Sequence, residues 1–259
     1  MTKQEFKELF EWADENNIPE YLLKSEKDKT PFPIFPRDSK VLFSMEKLDL
    51  RDFKLTSIHP LIGKLCNVKE LDIGGNKFKE IPQQLCELPN LEILNLSYCK
   101  ITKLPENIHQ LSNLKELWLG DTKYLKRLPS SIVKLKKLER LVLLNKNLHE
   151  IPKDIGELEN LKDLRLSGNF TLLEIPESIG DLKNLESLSL CKNAGINNMP
   201  ESICMLKKIK HFSFSPHFEI TKNQKLWIEN LLANKAEISA GDWRNPEPKW
   251  LSDLKMKYK

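Results

Sequence analysis

The sequence predicts an α/β solenoid: a curved horseshoe with short parallel strands on its concave face and helical turns on its convex face. The main observation is an internal repeat, in which leucine-like residues and a closing proline recur in one fixed order. A constant period of about 20 to 50 residues is typical of solenoids. The units begin at Met45, Val68, Leu91, Leu114, Leu138, Leu161, Leu185 and Ile209, so that successive starts lie 23 or 24 residues apart.

The first half of each unit predicts a short strand followed by a turn. The unit from Leu91 reads LEILNLSYCKITKLP, and its Leu94 and Leu96 are spaced so that both point inward. Asparagine is favoured at the ninth step, because its side chain can bond the backbone of the turn. Phe53 and Lys146 depart from this preference, so we expect less regular turns there.

The second half of each unit predicts a helical turn. It reads Ile/Leu-Pro-x-x-Ile/Leu-x-x-Leu, and a proline in the first turn of a helix loses no hydrogen bond. In the third unit, Ile108 and Leu111 then lie three residues apart on one helical face. The prolines at this step are Pro82, Pro105, Pro129, Pro152, Pro176 and Pro200.

These motifs resemble the leucine-rich repeat family, and within it the intracellular subclass whose units read LxxLxLxxNxLxxIPxxIxxL. The resemblance covers about residues 45 to 215. It implies the horseshoe fold and a role in binding other proteins, as a scaffold, an adaptor or a secreted effector. A fold does not by itself fix a function, so the binding surface has to be argued from residues.

We expect three parts: an N-terminal helical cap and Pro-rich connector over residues 1–44, an array of about eight units over 45–215, and a C-terminal helical cap over 216–259. The terminal coils of a solenoid have no neighbour to cover their core, so caps are required. Thr2 and Glu5 have the spacing of a capping box for the first helix. That helix, and the last one, could instead serve as partner-binding elements.

The composition argues against several classes of protein. The 41 basic and 37 acidic residues give a formal charge of only +4, which predicts a solvated surface and no specific nucleic-acid partner. The charged N-terminus and the lack of a long apolar run predict neither a signal peptide nor a transmembrane segment. We therefore expect a cytoplasmic protein, or one delivered into a host cell. Five cysteines without a C-x-x-C motif predict reduced thiols.

Motifs for catalysis, cofactor binding or metal binding do not occur in the sequence, so we expect neither an enzyme nor a cofactor. Two alternatives stay open. The first is a cryptic enzyme that uses Cys191, His211 and His217 near the C-terminal end. The second is a basic surface that binds membranes or nucleic acid, which would show binding that weakens steeply with salt.

The outward strand residues predict a binding patch for a protein or peptide on the concave face of a monomer. An apolar centre with charged residues around it is typical of an interface. We expect Trp118 to be the anchor, with Arg140 and Arg165 selecting the charge of the ligand. Single exposed apolar residues are also normal on surfaces, and an irregular turn could point Leu144 inward. The predicted patch contains Ile93, Asn95, Tyr98, Trp118, Arg140, Val142, Leu144, Arg165 and Asp72.

Three units carry one extra residue just after the ninth step. Extra residues in a solenoid coil belong to a loop on one edge, so we expect three slight bulges, which carry Tyr124, Phe170 and Gly195. They would either extend the binding surface or be tolerated insertions.

Overall fold

The computed structural model describes residues 1–23, 31–144, 147–241 and 246–258. Within these ranges, nine strands form one open parallel sheet, and they follow one another in chain order. This architecture is the predicted curved solenoid. The helices are α1 (Lys3–Glu15), α2 (Ser39–Ser44), α3 (Lys222–Ala233) and α4 (Lys249–Lys257). The strands are β1 (Tyr21–Leu23), β2 (Pro31–Pro33), β3 (Lys47–Asp49), β4 (Glu70–Asp72), β5 (Ile93–Asn95), β6 (Glu116–Trp118), β7 (Arg140–Val142), β8 (Asp163–Arg165), β9 (Ser187–Leu190), β10 (His211–Phe214) and β11 (Glu237–Ala240).

A ladder of buried side chains runs through the sheet from β3 to β11. Equivalent leucines of neighbouring strands are paired in register, as Leu94 is with Leu117 and Leu117 with Leu141. All three are fully buried, and each buried leucine contributes roughly 1.5–3 kcal/mol to folding. The array therefore has one continuous core, to which every coil adds a layer.

The convex face carries short 3-10 helices. Each segment has three to five residues and is held by i to i+3 hydrogen bonds. Runs of this tighter helix are usually short. The repeat prolines start these turns, as the sequence predicted. Pro82 and Pro105 lie at the N-caps in extended conformation, and their carbonyls accept the first i to i+3 bond, from the N–H groups of Leu85 at 3.0 Å and Ile108 at 3.1 Å. The helices are Pro60–Lys64, Gln83–Glu87, Glu106–Gln110, Ser130–Lys134, Ile155–Glu157, Glu177–Asp181 and Glu201–Met205.

At the ninth step of two units, a buried asparagine joins its coil to the one before it. The side-chain amide of Asn76 donates to the carbonyls of Leu50 and Ile73, both at 2.8 Å, and its Oδ1 accepts from the N–H of Leu55 at 3.0 Å. Asn169 repeats the two donations with Leu143 and Leu166. The predicted irregularity at Phe53 is present, since Lys54, directly after it, has a positive φ angle of 59° that has no counterpart in the other described units. Lys146 lies outside the described residues.

A second series of asparagines, which was not predicted from the sequence, lies just before the strands and also links neighbouring coils. Asparagine stands just before five of the units, and each side chain donates to a carbonyl about 24 residues earlier, between 2.7 and 2.8 Å away. The recurrence of this residue at one fixed place was the signal available in the sequence. The five residues are Asn67, Asn90, Asn113, Asn160 and Asn184.

Opposite charges alternate from coil to coil at the second step of the units. Each lysine bonds the glutamate of the preceding unit, so that the cations along this edge are paired. Exposed ion pairs of this kind contribute little stability individually. The pairs are Lys69–Glu46, Lys115–Glu92 and Lys210–Glu186 at 2.7 Å, and Lys162–Glu139 at 2.8 Å.

Helix α1 covers the first coil. The predicted capping box is present, because the Thr2 hydroxyl accepts from the N–H of Glu5 and the Glu5 carboxylate accepts from the N–H of Thr2. Leu9 and Ala13 of this helix are fully buried in the common core. Phe35 of the Pro-rich connector is also buried, with its ring 5.9 Å from that of Trp12.

The C-terminal end contains a strand where the sequence predicted a purely helical cap. Strand β11 pairs in parallel with β10, so the sheet extends past the eighth unit. Helix α3 precedes this strand, and its Trp227 donates to the carbonyl of Leu206 at 3.0 Å. Helix α4 packs on α3, since Lys257 and Tyr258 both bond Glu229.

We predict that Asn76→Ala lowers the free energy of unfolding by about 1–3 kcal/mol, because it leaves two buried carbonyls without their donor. Asn197→Ala is the control, since Asn197 is exposed. Urea unfolding followed by circular dichroism measures both variants. Equal stability of the two would show that the asparagine ladder does not carry the stacking.

We also predict that stability falls as the pH drops below about 6.5. Burial lowers the pKa of His59, with the charge of Glu8 opposing the shift. The unfolded chain therefore takes up a proton that the folded chain does not, and folding is disfavoured in that window. The neutral His59 also accepts the N–H of Leu61 through Nδ1 at 3.3 Å.

Urea unfolding at pH 7.5 and 5.5 tests this for the wild type and for His59→Asn, which keeps a capping side chain without a titrating group. The variant should lose part of the pH dependence. The same difference between the two pH values in both proteins would contradict the role assigned to His59.

Candidate functional site

Strand pairing aligns the outward residues of the concave face into two columns, one residue from each strand. The register pairs Asp72 with Asn95, Asn95 with Trp118, Trp118 with Val142, and Val142 with Arg165. The other column includes Ile93 and Arg140 in the same way. The structure thus places seven of the nine predicted residues on these strands, and Tyr98 and Leu144 at the turns that follow β5 and β7.

A hollow of about 390 Å³ lies at the centre of this face. Its walls include Tyr98, Trp118 and Leu144. Gly120 lies on its lining, where a side chain would project toward the open space, since an added Cβ would approach only Ser97, at 3.4 Å. The hollow therefore has an apolar side and room for a ligand side chain, and charged residues that include Arg51 and Arg165 line the rest of it.

Neighbouring charged groups hold Trp118 in one orientation. Its indole N–H donates to Glu116 at 3.0 Å, and the Arg140 guanidinium lies 5.6 Å from the ring centroid. Arg140 also donates to Glu116 at 2.8 Å, which closes a triangle of three contacts. The ring is therefore pre-organised while remaining partly exposed.

Tyr98 stands on the rim of the hollow in a strained backbone position. The eighth step of the units has positive φ, and Gly75 and Gly168 occupy it in two of them. At Tyr98 the φ angle is 60°, which costs roughly 1–2 kcal/mol for a residue with a side chain. The positive φ belongs to the repeat turn, since Asp52, Asp121 and Lys192 share it, and it leaves the Tyr98 side chain 69% exposed on the rim.

Val142 differs from the expectation of an exposed patch residue. It lies in the outward column but is only 2% exposed, and it does not belong to the interior leucine cluster. Its register partners on the two neighbouring strands, Trp118 and Arg165, both carry long side chains. Leu144 remains 37% exposed and is not turned inward. Val142 thus forms the base of the patch, and Leu144 forms part of its rim.

The two arginines expected to select charge are already paired within the protein. Arg140 lies between Glu116 and Asp163, with the second contact at 3.1 Å, and Arg165 bonds the same Asp163 at 3.0 Å. Asp163 is buried beneath them. Asp163 is not among the residues predicted for the patch, because a repeat period does not show which side chains share a carboxylate. The rim is consequently closer to neutral than expected.

On the other side of the hollow, polar groups bond one another. Asn95 donates to Asp72 at 2.9 Å, and the N–H of Gly74 donates to Asp72 at 3.0 Å. Burial raises the pKa of Asp72, although these hydrogen bonds oppose the shift. Ile93 lines a separate depression of about 250 Å³ with Asp72, Asn95 and Trp118. The hydrogen bonds among these residues hold this side of the patch in place.

The three predicted bulges form one-turn loops at the edge of the solenoid. The N–H of Leu172 donates to the carbonyl of Asn169 at 3.2 Å, and the equivalent bonds occur at Leu125 and Ile196. Tyr124 and Phe170 are about half exposed on these loops. They lie outside the lining of the central hollow.

The residues of the enzymatic alternative are each bonded to other groups. His211 pairs with Glu237 at 2.9 Å, and His217 bonds the carbonyl of Ile196 at 3.0 Å. The Cys191 thiol faces the carbonyl of Phe214 at 3.5 Å. Across the described ranges, no helix is long and apolar enough to cross a lipid bilayer.

Comparisons with known proteins match this architecture. The family model described as "Leucine rich repeat" matches residues 43–101, and the one described as "Leucine-rich repeat region" matches residues 83–171. Curated protein sequences give no significant match to the chain. Leucine-rich repeat domains are typically non-enzymatic modules that mediate protein–protein interaction.

Solved structures show the same fold. A leucine-rich repeat protein of Leptospira interrogans is 26% identical with a TM-score of 0.50, over 84% of this chain and 72% of its own. The leucine-rich repeat domain of the type III effector XopL is 19% identical with a TM-score of 0.61, over 76% of both chains. The Arabidopsis receptor kinase HAESA, in complex with the peptide hormone IDA and a co-receptor, is 28% identical with a TM-score of 0.52, over 66% of this chain and 30% of its own.

The repeat template, the parallel sheet with its buried leucine and asparagine ladders, and the matches of family models and solved structures agree with one another. The chain belongs to the leucine-rich repeat family.

Proposed function

We propose that this protein is a non-enzymatic interaction module that binds a protein or peptide ligand on its concave face. The observation that carries the proposal is the central hollow, in which Trp118 is held by Glu116 and Arg140 beside exposed Tyr98 and Leu144. Trp, Tyr and Arg are the residues that most often dominate binding energy. A surface held rigid in this way loses little conformational entropy when a ligand binds.

The comparison with HAESA supports the class of ligand. That structure contains a peptide hormone, and the receptor is 28% identical to this chain over the matched region. An extended peptide or protein segment suits a face made of parallel columns, because its side chains can engage several coils at once. We propose a scaffold, adaptor or effector role on this basis.

We further propose that the protein acts as a monomer in a reducing compartment. Both ends of the core are covered, by Leu9 of α1 and by Leu251 of α4, which are fully buried. The described residues include all five cysteines, and none forms a disulfide. Burial raises the pKa of the Cys86 thiol to about 12 and that of Cys99 to about 11, which suits inert thiols.

We predict that Trp118→Ala weakens ligand binding by about 30-fold, as expected when an interface anchor worth about 2 kcal/mol is removed. Quantitative mass spectrometry of proteins captured from a cell lysate measures the effect. Trp250→Ala is the matched control, because Trp250 is a partly exposed tryptophan on helix α4, away from the concave columns.

Proteins that bind the concave face should be lost with Trp118→Ala and retained with Trp250→Ala. Gly120→Leu tests the same surface without removing any side chain, because it fills the hollow. Circular dichroism confirms that each variant is folded. Equal capture by the wild type, Trp118→Ala and Gly120→Leu would move the binding site away from the concave face.

A further inference from the structure

The concave column that contains Trp118 changes its chemistry along the solenoid. Successive strands from β6 to β11 contribute an aromatic ring, an aliphatic group, a cation and then three hydroxyls. Strand pairing keeps these residues in register. In order they are Trp118, Val142, Arg165, Ser189, Ser213 and Ser239.

The hydroxyl end of the column lines a second depression, of about 510 Å³. The hydroxyl of Ser189 shares hydrogen bonds with those of Ser167, at 2.5 Å, and Ser213, at 2.9 Å. Serine side chains are short, so the backbone of a ligand can approach the sheet closely there. Hydroxyl groups both donate and accept, which suits the N–H and C=O groups of an extended peptide.

Arg165 lies at the boundary, because it lines both the central hollow and the serine depression. Asp163 holds its guanidinium from one side, through Nε at 3.2 Å and Nη2 at 3.0 Å. Arg140 draws on the same carboxylate and on Glu116, so the two arginines face two carboxylates, and Arg165 offers a ligand the exposed edge of its guanidinium. A carboxylate on the ligand would gain a charge-assisted hydrogen bond at Arg165, whose side chain is nearly half exposed.

The strand spacing sets the distances between these positions. Neighbouring strands lie about 4.8 Å apart, so Arg165 is about 10 Å from Trp118, two strands along the axis. An extended chain advances about 3.3 Å for each residue, which makes this separation about three residues. Ser213 lies two strands farther on, again about three residues away.

We propose that the ligand is an extended peptide segment that crosses the strands with a defined residue pattern. A bulky apolar side chain fills the hollow beside Trp118, an Asp or Glu about three residues away meets Arg165, and small residues follow over the serine depression. Either chain direction satisfies this spacing. The pattern rests on the proposed concave-face function and adds the chemistry of the ligand.

A displayed library of random linear dodecapeptides, selected on the full chain, tests the pattern. Enriched peptides should carry a large apolar residue and an acidic residue about three positions apart, with Gly, Ala or Ser beyond the acid. Affinities are then measured by fluorescence polarisation with the best labelled peptide.

Arg165→Gln should weaken binding by about tenfold or more, since it removes a hydrogen bond to a charged group. Arg140 still pairs with Asp163 in this variant, so no buried carboxylate is left alone. Arg127→Gln is the control, because Arg127 is exposed and pairs with Glu150 outside the concave columns. Arg165→Glu should recover binding to a peptide whose acidic residue is replaced by lysine.

The outcomes separate the two proposals. Peptides that depend on Trp118 but show no acidic preference, or that bind Arg165→Gln as tightly as the wild type, would overturn the ligand pattern and leave the concave site standing. Two other results would overturn the ligand pattern and would also count against peptide binding on the concave face. The first is enrichment that neither Trp118→Ala nor Arg165→Gln changes, and the second is no enrichment at all.

Discussion

The structure depends on the coil-to-coil contact in which a buried asparagine bonds the backbone of the preceding turn. Asn76 satisfies carbonyls of two successive coils, and the leucines beside it pack in register. A turn buried in this way would leave its polar backbone groups unpaired without such a side chain. The contact recurs at Asn169, and the in-register pairing of the strands between them aligns residues that are far apart in sequence into columns.

The functional surface is a consequence of those columns. Trp118 has little freedom, since Glu116 and Arg140 come from the same and the next strand and fix its ring. The shared Asp163 sets the arginines in the same manner. Charges on this face therefore serve first to hold one another in place. Recognition is left to the apolar hollow, to the exposed edge of Arg165 and to the hydroxyls beyond it.

Much of the fold and the membership of the columns could be predicted, because both follow from a period that is visible in the sequence. The burial of single residues could not be predicted, because Val142 occupies an outward position in the repeat and is nevertheless only 2% exposed. The pairing of Arg140 and Arg165 through Asp163 depends on side-chain conformations that a period does not specify. Strand β11 was missed because it follows a helix and lacks the leucine template.

The most direct test of the central claim is site-specific photo-crosslinking. A benzophenone side chain replaces Tyr98 on the rim of the concave hollow or, in a second protein, Tyr124 on the loop edge; both tyrosines are exposed. Each protein is irradiated with the selected peptides, and mass spectrometry locates the linkage. Crosslinks from position 98 and few from position 124 are predicted. Crosslinks from position 124 with none from position 98 would contradict a ligand on the concave face.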